Sequence, residues 1–142
     1  MYDILIKNIK LNKCDNVKTF NFGGSDKDDI FYMYVDYDSK NNHGAFRICD
    51  EKHIQKKNTL KIECKQIDSL NLENIGYIKI DVEGHEYPCL KGMLNTIKTN
   101  KPVIEIEIHN TSPTRSDVLK LLYELNYTEY FKISHCDILF IR

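Results

Sequence analysis

Tyr77-Ile-Lys-Ile-Asp-Val-Glu-Gly-His-Glu-Tyr-Pro-Cys-Leu-Lys-Gly92 carries the strongest structural signal in the chain. A short apolar strand, Tyr77 to Val82, runs into acidic residues, a glycine turn and the start of a helix. Asp81 and Glu83 therefore stand at the carboxyl end of a strand, where ligands bind in open α/β sheets. Two residues apart in extended chain, they face the same side. His85 and Glu86 follow at the helix entrance, and Gly84 permits a tight strand-to-helix turn. A carboxylate here can hold a cofactor amine, orient a substrate hydroxyl or act as a base. The plainer reading is that the acids complement the positive end of the next helix, worth roughly 0.3–1 kcal/mol. That reading suits Glu86 better than Asp81, because a charge ending an apolar strand needs a reason.

The neighbouring segments complete an α/β pattern. Glu86 to Lys98 carries Leu90, Met93, Leu94 and Ile97 at helical spacing, with Pro88 in the first turn, where its missing N–H costs little. Pro102 to His109 is a further strand. In it Ile104, Ile106 and Ile108 fall on one face, and Glu105, Glu107 and His109 on the other. A strand covered on both sides should be apolar throughout, so the polar face either meets solvent or lines a cleft. Solvent suits Glu105, and a cleft suits Glu107 and His109, nearer the carboxyl end. If the two strands are neighbours, Asp81, Glu83, His85, Glu107 and His109 converge at one rim. Carboxylates and imidazole suit a divalent cation, but this is not a recognised ligand spacing and no metal is assigned.

Toward the amino terminus, Met1 to Lys10 reads as an amphipathic helix and Val17 to Phe22 as a strand. Gly23 to Asp26 reads as a loop, Ile30 to Tyr37 as a strand rich in aromatic and β-branched residues, Asp38 to Gly44 as a polar turn, and Leu60 to Gln66 as another strand. Toward the carboxyl terminus, Ser112-Pro113 opens a helix bearing Val118, Leu121, Leu122 and Leu125. Tyr127 to Phe131 and Asp137 to Ile141 then form an antiparallel pair. Strands alternating with helices point to an α/β fold, a doubly wound sheet with a terminal hairpin.

Composition narrows the function classes. The 142 residues suit one domain, with net charge −1 and no basic block, which argues against nucleic acid and anionic membrane surfaces as partners. No apolar run reaches the roughly 20 residues of a membrane span, and the amino terminus is too short in its apolar part for a signal peptide. The 5 cysteines (Cys14, Cys49, Cys64, Cys89, Cys136) are odd in number and contain no C-x-x-C pair. Reduced, mostly buried thiols in a cytoplasmic protein are the expectation. His43, His53 and His135 are read as surface or loop residues.

The residues Ile78-Lys-Ile-Asp-Val-Glu-Gly84, Glu86 and Leu90-Lys-Gly92 resemble the FkbM-type S-adenosylmethionine-dependent methyltransferases. Ile67-Asp-Ser-Leu70 is similar to the stretch preceding that strand in the family, and Lys101-Pro-Val-Ile with Ile106-Glu-Ile-His109 to its next strand. Asn8-Ile-Lys-Leu-Asn12, Asn16-Val17, Ser25-Asp26 and His43-Gly44 carry weaker likenesses, so the resemblance spans residues 1–142 as one domain. It implies the carboxyl-terminal part of an incomplete Rossmann-like class I methyltransferase sheet. It also implies methyl transfer to a hydroxyl of a sugar or small molecule, with S-adenosylmethionine as cofactor. On that reading Asp81 or His109 accepts the proton and Glu107 orients it. Asp26 and Asp81 contact the cofactor, and Glu83, His85 and Glu86 contact a small-molecule or glycan acceptor.

One part of the family pattern is not matched. The 6 glycines form no G-x-G-x-x-G loop, and Met1 falls at about the helix after the family's second strand. Three readings follow: a methyltransferase; a degenerate methyltransferase fold kept as a binding or scaffold protein; or a truncated chain completed by a homodimer or a complementing chain.

Overall fold

The computed structural model describes residues 2–34, 47–49 and 59–142. Helix α1 (Tyr2–Leu11) leads into β1 (Gly23–Gly24), β2 (Asp29–Tyr34), β3 (Arg47–Cys49) and β4 (Thr59–Lys65). A 3-10 turn at Ile67–Leu70 joins them to β5 (Tyr77–Ile80), α2 (Glu86–Lys91), α3 (Leu94–Asn100), β6 (Val103–Glu107), α4 (Arg115–Glu124), β7 (Glu129–Lys132) and β8 (Asp137–Ile141). The strands form two four-stranded sheets, ordered β1-β4-β2-β3 and β5-β6-β8-β7.

The second sheet carries the core. β5 and β6 are parallel, with Ile78 opposite Ile104 and Ile80 opposite Ile106. β8 runs antiparallel to β6 and pairs with β7 in the terminal hairpin. The period-two pattern of β6 puts Ile104 and Ile106 on the inner face, both fully buried against Leu90, Ile97, Val118 and Leu122. Each such side chain contributes about 1.5–3 kcal/mol by leaving water. The opposite face is polar: Lys79 pairs with Glu105 at 2.6 Å and lies 3.6 Å from Asp137, and the Tyr77 hydroxyl donates to Glu105. Glu105 thus sits on the outer face, as the alternation suggests.

Two expected elements differ. Val17 to Phe22 forms no strand; Phe20 and Phe22 pack ring to ring at 5.5 Å, and ladder pairing begins only at Gly23, opposite Cys64. The alternation in that segment reflects a local aromatic cluster rather than a sheet face. The helix expected from Glu86 to Lys98 is two helices separated at Gly92 and Met93. Asp68 explains the restart. Its carboxylate accepts the backbone N–H groups of Asn95 and Thr96 at 2.9 and 2.8 Å and the Thr96 hydroxyl at 2.8 Å. It caps α3 from a distant part of the chain, satisfying donors that a helix start leaves open. Asp68→Ala is expected to cost about 2 kcal/mol, measured as a lower urea midpoint with an unchanged slope.

Two further anchors fix the entry and exit of the central strands. The Asn100 side chain accepts the Ile75 N–H at 3.0 Å and donates to Leu72 O at 3.1 Å, holding the chain that feeds β5. The buried Tyr127 hydroxyl donates to Pro102 O at 2.6 Å just before β6. The polar turn expected at Asp38 to Gly44, with His43, and also His53, lie outside the described residues. Among the described residues no helix is long and apolar enough to cross a membrane.

Candidate functional site

The carboxyl ends of β5 and β6 lie side by side because the strands are parallel and in register. After β5 the chain turns sharply, with the His85 N–H donating to Val82 O at 3.3 Å. The two central residues of the turn have positive φ: 48° at Glu83 and 99° at Gly84. Glycine adopts this region freely, whereas glutamate does so rarely, and such backbone gathers at functional sites. Glu86, the first residue of α2, is 3% exposed. One of its carboxylate oxygens accepts the Gly84 N–H at 2.6 Å, and the other has no hydrogen-bond partner.

After β6 the chain bends at His109, whose carbonyl accepts the Ser112 N–H at 3.0 Å. Arg115 holds the bend by donating to Ile108 O at 2.9 Å. Between the two turns lies a cavity of about 400 Å³, lined by Glu83, Gly84, Glu86, His109, Thr111, Ser112, Pro113 and Ile48. Glu83, Glu86 and His109 thus meet around one space. The contribution of Thr111, Ser112 and Pro113 is not evident in the sequence, where Ser112-Pro113 reads as a helix start. The helix begins three residues after Ser112, at Arg115, which leaves the preceding segment to wall the site.

The remaining candidate residues lie elsewhere. Asp81 is exposed just beyond β5 and is not part of the cavity lining. Glu107 accepts a long contact from the Cys136 thiol at 3.4 Å and stands opposite Asp137 across the β6–β8 ladder. His85 lies against the first sheet: its Nε2 is 3.0 Å from the Ser25 hydroxyl, and its ring meets Phe31 edge-on at 5.4 Å. Asp26 pairs with Lys91 at 2.9 Å, and that hydrogen bond is the main reason its carboxyl is held below the usual range. Ser25, Asp26, His85 and Lys91 therefore form a polar joint between the first sheet and α2. Among the described residues no cluster of three or more His, Cys, Asp or Glu side chains is arranged to hold a metal ion. Cys14, Cys64, Cys89 and Cys136 are free thiols, and burial pushes Cys89 up to about 12.

The joint makes the fold pH-sensitive. Burial lowers the His85 pKa, and the charges of Asp26 and Glu86 offset only part of this. The folded value lies below the unfolded one, about 6.5. The resulting stability is complete above the unfolded value and is lost as pH falls through the folded value. The urea midpoint is expected to drop as pH falls below the unfolded value, about 6.5, with a smaller drop in His85→Gln.

A family model described as the methyltransferase FkbM domain matches residues 1–129. The chain belongs to the FkbM methyltransferase family. A solved structure of methyltransferase FkbM from Methylobacillus flagellatus KT superposes with a TM-score of 0.58 at 17% identity, covering 98% of this chain and 32% of that one. At that identity the likeness establishes the fold, and the chain spans about a third of its length. Comparison with curated proteins gives no match.

Proposed function

We propose that this FkbM-family chain serves S-adenosylmethionine-dependent methyl transfer to a hydroxyl group of a sugar or small molecule. The observation that carries the reading is the convergence of Glu83, Glu86 and His109 around one cavity at the carboxyl ends of two parallel strands. Ligands of open α/β sheets bind at such strand ends. S-adenosylmethionine, when bound, would supply an electrophilic methyl group, its sulfonium S–CH3 bond breaking so that the sulfur leaves as a neutral thioether. Asp81, exposed at the strand end and outside the cavity, suits a donor group of the cofactor. Asp26, already paired with Lys91, suits a positioning part.

The chain's own residues hold and deprotonate the acceptor. His109 is the group of choice for taking the hydroxyl proton as the oxygen–methyl bond forms, because it lines the cavity and Asp81 does not. Imidazole is suited to proton transfer near neutral pH. Glu83 and Glu86 accept hydrogen bonds from the acceptor's other donors. Alignment of acceptor oxygen and methyl is the main resource of such a reaction.

The test is transfer of labelled methyl from S-adenosylmethionine to a panel of sugars and hydroxylated small molecules. Acceptor-dependent incorporation is expected. Saturable acceptor binding with no transfer at any cofactor concentration would favour a methyltransferase fold kept for binding. Transfer restored only by adding a second chain would place the site in an assembly.

A further inference from the structure

The order of the second sheet, β5-β6-β8-β7, puts β5 and β7 at its edges. Among the described residues no strand pairs with the outer side of β7. The two edges differ in burial. In β5, Ile80 is buried and Ile78 half-buried, whereas all 4 residues of β7 are exposed. The exposure falls on large apolar groups: Tyr130 is 61% exposed, Phe131 55% and Ile133, just past the strand, 56%. An exposed edge of this kind is a template for pairing with another strand.

The ladder to β8 shows which groups that edge offers. The Ile133 N–H donates to Asp137 O at 2.9 Å. Ile133 therefore turns its backbone toward β8, and by alternation so do Phe131 and Glu129. The N–H and C=O groups of Tyr130 and Lys132 point the other way, out at the free edge. Side chains divide by face. Tyr130 and Lys132 stand opposite Phe140 and Ile138, on the core face, and Phe131 stands opposite Leu139, on the outer face. The Tyr130 and Phe140 rings lie 6.1 Å apart.

We infer that β7 pairs antiparallel with β7 of a second copy, about a two-fold axis at Phe131, joining the two second sheets into one. The strand is self-complementary in this register. Opposite residues of an antiparallel pair share a face, so core-face residues must meet core-face residues. Tyr130 then faces Lys132 of the second copy, and their outward backbone groups exchange both N–H···O bonds. The two-fold repeats that exchange on the other side of the axis. Phe131 meets its own counterpart in the non-hydrogen-bonded position, where side chains come closest. Glu129 faces Ile133, and no charge stands directly opposite one of its own sign. The neighbouring registers are poorer. An axis at Lys132 sets two lysines against each other, and an axis at Tyr130 sets Phe131 against the Glu129 carboxylate. The contact uses neither His109 nor the cavity, so it is independent of the methyl-transfer reading.

The experiment is sedimentation velocity of the purified chain under reducing conditions, from about 1 to about 500 µM. A strand edge this short falls below the roughly 1,200 Å² that stable interfaces bury. A concentration-dependent monomer–dimer equilibrium is therefore expected, with a Kd of about 100 µM or tighter. Tyr130→Pro removes an outward N–H and spares the ladder to β8. Phe131→Glu sets two carboxylates opposite each other at the axis. Each is expected to weaken dimerisation at least about tenfold, through a lost ladder bond or opposed like charges. Amide exchange then locates the contact: the Tyr130 and Lys132 N–H groups are expected to slow as the dimer fills. A chain that stays monomeric throughout overturns the inference and leaves Lys132 as the guard of the edge, a common use of an edge lysine. A dimer that persists in both folded variants overturns it too, because the contact then lies elsewhere. If the variants do not fold, the wild-type exchange decides. Slowing of the Tyr130 and Lys132 amides with concentration supports the inference, and unchanged rates in the dimer overturn it.

Discussion

Gly92→Ala is expected to destabilise the fold by about 3 kcal/mol or more, at the upper end of overpacking effects. A methyl group added at Gly92 would sit 1.8 Å from the Ser25 carbonyl oxygen and 2.7 Å from its carbon. Both are backbone atoms, so no side chain can rotate away. Ser25 is completely buried, and several interactions that join the first sheet to the helices meet at this point. The Asp68 N–H donates to Gly92 O at 2.9 Å, the Ser25 hydroxyl meets His85 at 3.0 Å, and Asp26 pairs with Lys91 at 2.9 Å. Domains of this size have a total stability of about 5–15 kcal/mol, so the loss would be a large share. Urea unfolding and amide exchange should show β1 and β4 opening before the second sheet. A Gly92→Ala variant as stable as the parent would mean that the close approach of Ser25 does not hold.

On the proposed function, His109→Gln is expected to slow methyl transfer by about 10²–10⁴-fold, the usual contribution of a positioned general base. The residue is exposed, and among the described residues its backbone carbonyl accepts the Ser112 N–H. Glutamine keeps that tie and a similar side-chain length, so the thermal midpoint should be unchanged. Cofactor binding should also be unchanged, because His109 is assigned to the acceptor. The signature is therefore a lower kcat with unaltered cofactor affinity. A variant that loses cofactor affinity and turnover together would move His109 to the cofactor side.

The parts of the fold legible from sequence are those decided by local periodicity. β6 announces itself because Ile104, Ile106 and Ile108 alternate with polar residues, and only one face of the second sheet is buried. α4 and the terminal hairpin are similarly local. The break between α2 and α3 is not legible, because the Asp68 carboxylate that caps α3 is distant in sequence. The Val17 to Phe22 alternation misleads for the converse reason, since a strand needs a partner that lies outside its own residues.

The candidate site divides along the same line. Period-two alternation puts Glu83 and His109 at neighbouring strand ends, and parallel pairing of β5 and β6 brings them together. The same alternation groups His85 with them, whereas the turn through Glu83 and Gly84 carries that ring to Ser25 and Phe31. Two positive φ values in succession undo any face assignment made from extended chain. The orphan oxygen of Glu86 has no sequence signal, because it depends on which donors the folded turn leaves out of reach.

If the strand-end rim serves S-adenosylmethionine chemistry, the chain binds that cofactor through Asp81. Calorimetric titration of the chain with S-adenosylmethionine tests it directly. Saturable heat is expected, and Asp81→Asn should abolish it without lowering the thermal midpoint, since Asp81 is exposed. Absence of any heat at millimolar cofactor, or heat unchanged in Asp81→Asn, would rule out a cofactor site at this rim.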